Sequence, residues 1–128
     1  MPILKTKTFN RWAKREWLAD RELYEAVIEM KNGLIDAHLG GGVIKKRVRR
    51  AGHGKRGAYR VIVASNLGER WIFMFGFAKN ERDNIDDVEL RLMKRLASLF
   101  LQMDDGMIER AIASGELVEI RHGKSQNA

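Results

Sequence analysis

The sequence predicts an α+β fold in which two N-terminal helices pack on a small antiparallel sheet and a long helix follows the last strand. Apolar residues recur at helical spacing near the start of the chain and again in its second half. Between these regions, segments with strand-like patterns follow one another through short connections, which favours antiparallel pairing. A chain of 128 residues can form one domain with its own core.

The N-terminal region is predicted to hold a short strand and two helices. The strand covers residues 3–6, and the first helix covers residues 8–18. Apolar residues of this helix are spaced by three or four: Phe9, Trp12, Ala13 and Trp17. Asp20 is placed to cap the second helix and Gly33 to end it. The glycine-containing segment that follows, up to Gly42, is predicted to be an irregular link.

Three strands are predicted next. Residues 43–49 alternate, with Ile44, Lys46 and Val48 on one face and Lys45, Arg47 and Arg49 on the other. Residues 58–64 form a second strand, in which Tyr59, Val61 and Val63 should meet the helices while Arg60 points away. Residues 70–77 are apolar on both faces, as in a central strand. A turn at residues 65–68 joins the last two strands, with Asn66 and Gly68 able to take positive φ.

The longest helix is predicted over residues 84–102, capped by Asn84. Its apolar stripe is expected to comprise Ile85, Val88, Leu92, Leu96 and Leu99. We divide the chain into a domain of residues 1–105 and a C-terminal extension of residues 106–128. The extension contains a short helix over residues 107–114 and a frayed tail, and it either docks on the sheet or contacts a partner.

The positive charge of the chain is concentrated in one segment. The net charge is +7, and residues 43–60 hold eight of the 24 lysines and arginines and no acidic residue. The remaining 16 basic residues face 17 acidic ones. A local cationic surface binds polyanions, so nucleic acid is the first candidate partner, an acidic protein the second and an anionic lipid surface the third.

Several other functional classes are not indicated. The chain has no cysteine, and its histidines lack metal-ligand spacing, so no metal and no cofactor is expected. Residues 52–57 spell G-x-G-x-x-G, but a strand rather than a helix follows, which argues against a dinucleotide site. No signal peptide or membrane span is visible, and we expect a cytoplasmic protein.

The basic segment supplies the candidate site. If the first two strands of the sheet adjoin, Lys45, Arg47 and Arg60 converge on one face. His53 lies in the glycine-rich loop between these strands, and its unperturbed pKa lies near neutrality. Further cations of the segment are candidate nucleic-acid contacts: Lys46, Arg49, Arg50, Lys55 and Arg56.

Two stretches carry a resemblance to a known family. Residues 54–63 read GKRGAYRVIV, and residues 75–82 read FGFAKNER. Here the chain resembles the RelE/ParE superfamily of bacterial toxins and is most similar to its HigB-like branch. The resemblance implies a RelE-like fold, an antitoxin partner and either mRNA cleavage, typically on the ribosome, or gyrase poisoning. It matches Arg60 to a phosphate-stabilising arginine, Lys45 and Arg47 to a basic pair, and Lys79 and Arg82 to a basic turn.

Two positions depart from the RelE pattern. Asn80 stands where a second functional arginine is expected, and Ile85 or Asp86 stands where a tyrosine follows. We predict a metal-independent endoribonuclease in which Arg60 and Arg47 bind the scissile phosphate. His53 or a lysine, Lys45 or Lys55, is expected to move protons. The expected partners are mRNA, the ribosome and the antitoxin. A gyrase inhibitor and a passive nucleic-acid-binding module remain the alternatives.

Overall fold

The computed structural model describes residues 2–49 and 58–121. Within these ranges the chain forms a mixed α+β fold with the elements β1 (Ile3–Thr6), α1 (Lys7–Arg15), α2 (Asp20–Lys31), β2 (Ala37–Gly40), β3 (Val43–Arg49), β4 (Ala58–Ser65), β5 (Trp71–Ala78), α3 (Asp87–Gln102), α4 (Asp105–Ser114) and β6 (Leu117–Glu119). The six strands form one sheet in the order β2-β3-β4-β5-β1-β6.

The sheet is mixed rather than purely antiparallel. Strands β3 to β5 pair as antiparallel neighbours, as predicted, and β2 joins β3 in the same way, but β1 lies parallel to β5 and antiparallel to β6. Short connections favour antiparallel pairing only between strands that are close in sequence. Since β1 is separated from β5 by both N-terminal helices and three strands, that constraint does not act on it.

Helices cover both faces of the sheet. One core cluster joins the sheet to α1 and α2, with Phe9, Leu23 and Val61 among its buried members. A second cluster joins the opposite face to α3 and α4. The two N-terminal helices therefore cover one face of the sheet, and the two later helices cover the other. The physical reason is visible in β5, which is buried on both faces except at the half-buried Phe75 and needs cover on each side.

Three helices start at residues other than the predicted ones, and side-chain contacts show why. The hydroxyl of Thr6 accepts a hydrogen bond from the backbone N–H of Phe9 at 3.0 Å, so α1 begins at residue 7. Asp20 lies inside α2 because its carboxylate instead accepts a hydrogen bond from the buried Lys5 ammonium at 2.6 Å. Asp86, not Asn84, caps α3. The end of α2 at Gly33, with φ of +92°, is confirmed.

The apolar stripe predicted for α3 is wrong in part. Its buried residues are Met93 and Ala97, whereas Val88, Leu92 and Leu99 are each more than half exposed. Helical spacing allows two neighbouring stripes on α3, and the contacts with β3 and β4 select the one that contains Met93.

Two connecting segments also differ from expectation. The predicted irregular link contains β2, which pairs with the first residues of β3 through a bulge at residues 38–40. In the turn between β4 and β5, Leu67 takes the positive φ, at +66°, instead of Asn66 or Gly68. Ser65 explains this turn, because its hydroxyl accepts a hydrogen bond from the backbone N–H of Leu67 at 2.8 Å.

The segment after α3 docks on the sheet. Ile108 and Ala111 of α4 are buried in the second core cluster, and β6 pairs with β1. Gly115, with φ of +87°, ends α4 and lets the chain turn into that strand. Of the two alternatives that the sequence left open for residues 106–120, docking on the sheet is the one observed.

Candidate functional site

The register of β3, β4 and β5 brings the predicted cations together on one face of the sheet. Arg47 lies directly opposite Arg60, which in turn lies opposite Phe77, and Lys45 lies opposite Ile62 in the adjoining row. Residues that face each other across antiparallel strands point to the same side. We call the surface formed by Lys45, Arg47, Arg49 and Arg60 the cation face, and it lies on the side of the sheet that α3 covers farther along.

Arg60 is the most enclosed cation of this face. Its side chain is only 15% exposed, and its closest acidic contact is 3.9 Å, from Nε to Oδ2 of Asp36. The Nη1 atom is buried and has no hydrogen-bond partner among the described residues. A buried charged donor without an acceptor is costly, so the position favours an anion that would accept from it.

Two arginines in direct cross-strand register make the face electrostatically unfavourable on its own. Like charges at opposed positions of antiparallel strands repel one another and destabilise the pairing. The long contact from Arg60 to Asp36 offsets this only weakly, since Asp36 is about one-third exposed. A bound phosphate would offset this repulsion, because both arginines would be attracted to the same anion. Each guanidinium can bond two of its oxygens.

The floor beside Arg60 is aromatic and apolar. Phe77 is buried, and Phe75 lies two residues before it on the same face. The guanidinium of Arg82 lies 5.3 Å from the ring centroid of Phe77 and 5.9 Å from that of Phe75. An apolar surround lowers the local dielectric, which strengthens attraction between Arg60 and an anion.

Arg82 is neutralised by a carboxylate. Its Nη1 and Nη2 donate to the two carboxylate oxygens of Glu89 at 3.1 and 2.5 Å, and its Nε donates to the carbonyl of Asn84. These side-chain hydrogen bonds are the main cause that lowers the pKa of Glu89, and the backbone N–H of Asp86 adds to it. The same bonds raise the pKa of Arg82. Arg82 therefore ties the turn after β5 to the first turn of α3.

Glu89→Gln is expected to lower the melting temperature by a few degrees at neutral pH. Glutamine can keep the capping hydrogen bond to the backbone N–H of Asp86 but loses the charge that holds Arg82. Because folding lowers the pKa of Glu89, its contribution is present above the ordinary carboxyl range and disappears as pH falls through the lowered value. Thermal unfolding of both proteins between pH 7 and pH 3 checks this, and a difference that stays constant with pH would contradict it.

The other predicted contacts fall in different places. Lys46 lies on the opposite face of β3, 5% exposed, where it donates to the carbonyl of Leu34 and pairs with Glu29 at 2.8 Å. This follows from the alternation of the strand, and it separates Lys46 from the cation face. Lys79 is exposed just after β5. Four predicted residues lie outside the described ranges: Arg50, His53, Lys55 and Arg56.

A groove of about 710 Å³ runs between α2 and the edge of β3. Arg47 and Arg49 line its strand side, while Glu22, Glu25 and Glu29 line its helical side. Carboxylates along one wall repel a phosphate backbone. The cation face, rather than this groove, is therefore the candidate interface for nucleic acid.

Three residues that lie near the cation face are not among the site residues predicted from the sequence. Asp36 lies in the segment predicted to be irregular, and no local sequence pattern pairs Glu89 with Arg82. Phe77 carried a usable signal, because it alternates with Phe75 in a strand predicted to be central, so both rings had to share a face.

Two further findings concern the described ranges. No group of three or more histidines, aspartates or glutamates there is placed to hold a metal ion. In the same ranges, no helix has the length and apolar character needed to cross a membrane.

Comparison with known proteins supplies the family. Residues 1–120 match the family described as the RelE toxin of the RelE/RelB toxin–antitoxin system. The sequence matches no curated protein. The family match covers α4 and β6 as well as the cation face and spans far more than half of the 128 residues. The chain therefore belongs to the RelE toxin family and is the toxin of a toxin–antitoxin system, with an antitoxin as its partner.

Proposed function

We propose that this toxin is an endoribonuclease of the HigB-like branch that cleaves mRNA at the cation face. The observation that supports this most is Arg60, which is largely buried, faces Arg47 and keeps one guanidinium nitrogen without an acceptor in the described part of the chain. A site that only tethers a solvated phosphate backbone needs exposed cations. An enclosed guanidinium with a nitrogen still able to donate is suited to the charge that develops on a phosphate during reaction.

The proposed reaction uses the nucleophile that RNA itself carries. The 2′-oxygen attacks the adjacent phosphorus, its proton passes to a base, and the bond to the 5′-oxygen breaks as that oxygen takes up a proton. The products are a 2′,3′-cyclic phosphate and a 5′-hydroxyl. Arg60 and Arg47 hold the non-bridging oxygens, where negative charge accumulates in the transition state.

Two residues are the proposed proton carriers. Lys45 lies on the cation face one row from Arg47, beside the position where Arg47 and Arg60 would hold the phosphate. His53, outside the described residues, follows β3 by four positions and needs no shift to exchange protons near neutrality. We assign the base to one of these two and expect the acid to be the other.

The proposed setting is the cytoplasm, and the proposed partners beyond the antitoxin are mRNA and the ribosome. At Arg47 and Arg60 the cation face holds one cross-strand pair of arginines. One such pair suits a single phosphate rather than a long duplex. An mRNA presented in an extended form, as on a ribosome, would supply that phosphate with its 2′-hydroxyl accessible.

Induced expression tests the proposal. We expect growth arrest, loss of full-length mRNA and new mRNA 5′ ends that carry a hydroxyl, all suppressed when the antitoxin is co-expressed. Plasmid topology is measured in the same cells. Relaxed plasmids with intact mRNA would show that the toxin poisons gyrase instead, and salt-dependent RNA binding with neither cleavage nor arrest would show a passive binding module.

A further inference from the structure

A second cationic surface lies on the outer face of α1. Lys7, Arg11, Lys14 and Arg15 follow helical spacing, so they share one face, and all four are exposed. None of them forms an ion pair with a described residue. We call this set the α1 face. It is separate from the cation face, because α1 packs in the core cluster on the other side of the sheet.

The stability of the helix explains only half of the α1 face, because Lys14 and Arg15 lie in the last turn, at the negative end of the helix dipole, whereas Lys7 and Arg11 do not. The first turn contains no acidic residue, and Lys7 stands there, at the positive end of the helix dipole. Glu16, the nearest acid on the chain, is engaged, since its carboxylate accepts a hydrogen bond from the Tyr59 hydroxyl at 3.1 Å. Neighbouring cations on such a face repel one another and gain no compensating pair.

Trp17 stands at the end of the same helix and is 87% exposed. Its φ is +59°, in the left-handed region that bulky side chains rarely adopt. Hydrogen bonds that end the helix account for this backbone conformation: the N–H of Leu18 donates to the carbonyl of Ala13 at 2.9 Å, and the N–H of Trp17 donates to that of Lys14 at 3.2 Å. They do not require an indole, so the exposure of the ring is left without a structural reason. A nearly free aromatic ring beside unpaired cations is the combination by which proteins hold RNA, with phosphates on the cations and a base stacked on the ring.

We propose that the α1 face and Trp17 form a second RNA-binding surface, which takes the backbone of an RNA hairpin and stacks one of its unpaired bases. Neighbouring side chains at this helical spacing lie about 5–6 Å apart, so each can reach a different phosphate. An acidic protein fits this surface less well, because two of its four cations are lysines, which are depleted at protein interfaces, and Trp17 is the single apolar side chain of the set. The inference does not require that the toxin cleaves RNA.

The test measures binding without cleavage. All proteins carry Arg60→Ala, so that the proposed cleavage site is inactive, and the probe is a fluorescent RNA hairpin with a stem longer than one helical turn. Binding is followed by anisotropy over a range of salt concentrations. In the triple variant Arg11→Ala/Lys14→Ala/Arg15→Ala, we expect affinity to fall roughly 10- to 100-fold at low salt and the salt slope to fall by about 0.9 for each lost phosphate contact.

The matched control is Arg91→Ala/Arg95→Ala/Arg110→Ala. It removes the same number of charges from exposed helical positions on the opposite layer. Alanine favours helix in both variants, so both should fold, which circular dichroism verifies. Trp17→Ala is expected to weaken binding about 5- to 100-fold with little change in the salt slope. In the parent protein, the hairpin should protect Trp17 from iodide quenching.

Two outcomes would overturn the proposal. Equal losses in the α1 variant and the control would mean that overall charge alone attracts the probe. An α1 variant that binds the hairpin as its parent does but no longer binds the antitoxin would show that this face contacts protein. Both outcomes are distinguishable from failure of the proposed function, since neither depends on cleavage.

Discussion

Replacing Arg60 by alanine is expected to lower the rate of RNA cleavage by about 100- to 1,000-fold, the usual effect of losing one preorganised group that stabilises transition-state charge. Arg60 lies between Arg47 on one neighbouring strand and the buried Phe77 on the other, so in the variant only Arg47 of this row is left to hold the phosphate. Cleavage of a defined mRNA in a translating extract, measured under single-turnover conditions, gives the rate.

Two variants sharpen this prediction. Arg60→Lys keeps the charge but loses the planar pair of donors, so we expect an intermediate rate. Arg91→Ala removes an exposed arginine of α3 that forms no ion pair with a described residue, and we expect it to leave the rate unchanged. Full toxicity of Arg60→Ala in cells, or an equal loss from Arg91→Ala, would show that the site is assigned wrongly.

Arg60→Ala is expected to leave the stability of the fold unchanged or to raise it. Removing Arg60 relieves its repulsion with Arg47 and also removes a buried donor for which residues 2–49 and 58–121 supply no acceptor. The melting temperature of Arg60→Ala should therefore equal or exceed that of the parent. A variant that loses activity while keeping or gaining stability identifies a residue retained for function.

The grouping of the cations could be predicted because it depends on strand alternation alone. Once residues 43–49 and 58–64 are read as paired strands, Lys45, Arg47 and Arg60 must share a face, and Tyr59 and Val61 must face the helices. The structure confirms this arrangement. A period of two is a local property of the chain, and a slip of one residue would expose the whole apolar set.

Long-range contacts account for what the sequence could not predict. The parallel pairing of β1 with β5 joins residues nearly 70 positions apart, and no local pattern encodes such a partner. The carboxylate of Asp36 reaches Arg60 only because β2 forms at the edge of β3. On α3, both possible apolar stripes had helical spacing, and contacts with the sheet decided between them.

Counting basic residues in the sequence does not show which of them are already paired with carboxylates in the fold. From the sequence, Arg82 is one more cation near the site, whereas in the structure its guanidinium is held by Glu89 from the next helix. Lys46 belongs to the basic segment yet pairs with Glu29 on the other face. A count of basic residues overstates the charge available to RNA, because long side chains find carboxylates that are distant in sequence.

Gly76→Ala is expected to destabilise the core strongly. Gly76 lies in β5 opposite Val61, on the face that α1 covers. A Cβ at this position would lie closer than 3.0 Å to three atoms of the Trp12 indole. The ring cannot move away freely, since its centroid lies 5.4 Å from that of Phe9 and 5.2 Å from that of Tyr59.

The overpacked methyl group is expected to lower the free energy of unfolding by about 1–3 kcal/mol or more. For a chain of this length each kcal/mol lowers the melting temperature by about 3–5 °C, which thermal unfolding will show. Gly106→Ala makes the same chemical change near the start of α4, where the nearest atom to a new Cβ is 3.4 Å away, and it should have little effect. Adding Trp12→Leu to Gly76→Ala makes room for the methyl group, so the double variant should be destabilised by less than the sum of its two single substitutions. If the two effects simply add, the collision between Gly76 and Trp12 is not the cause.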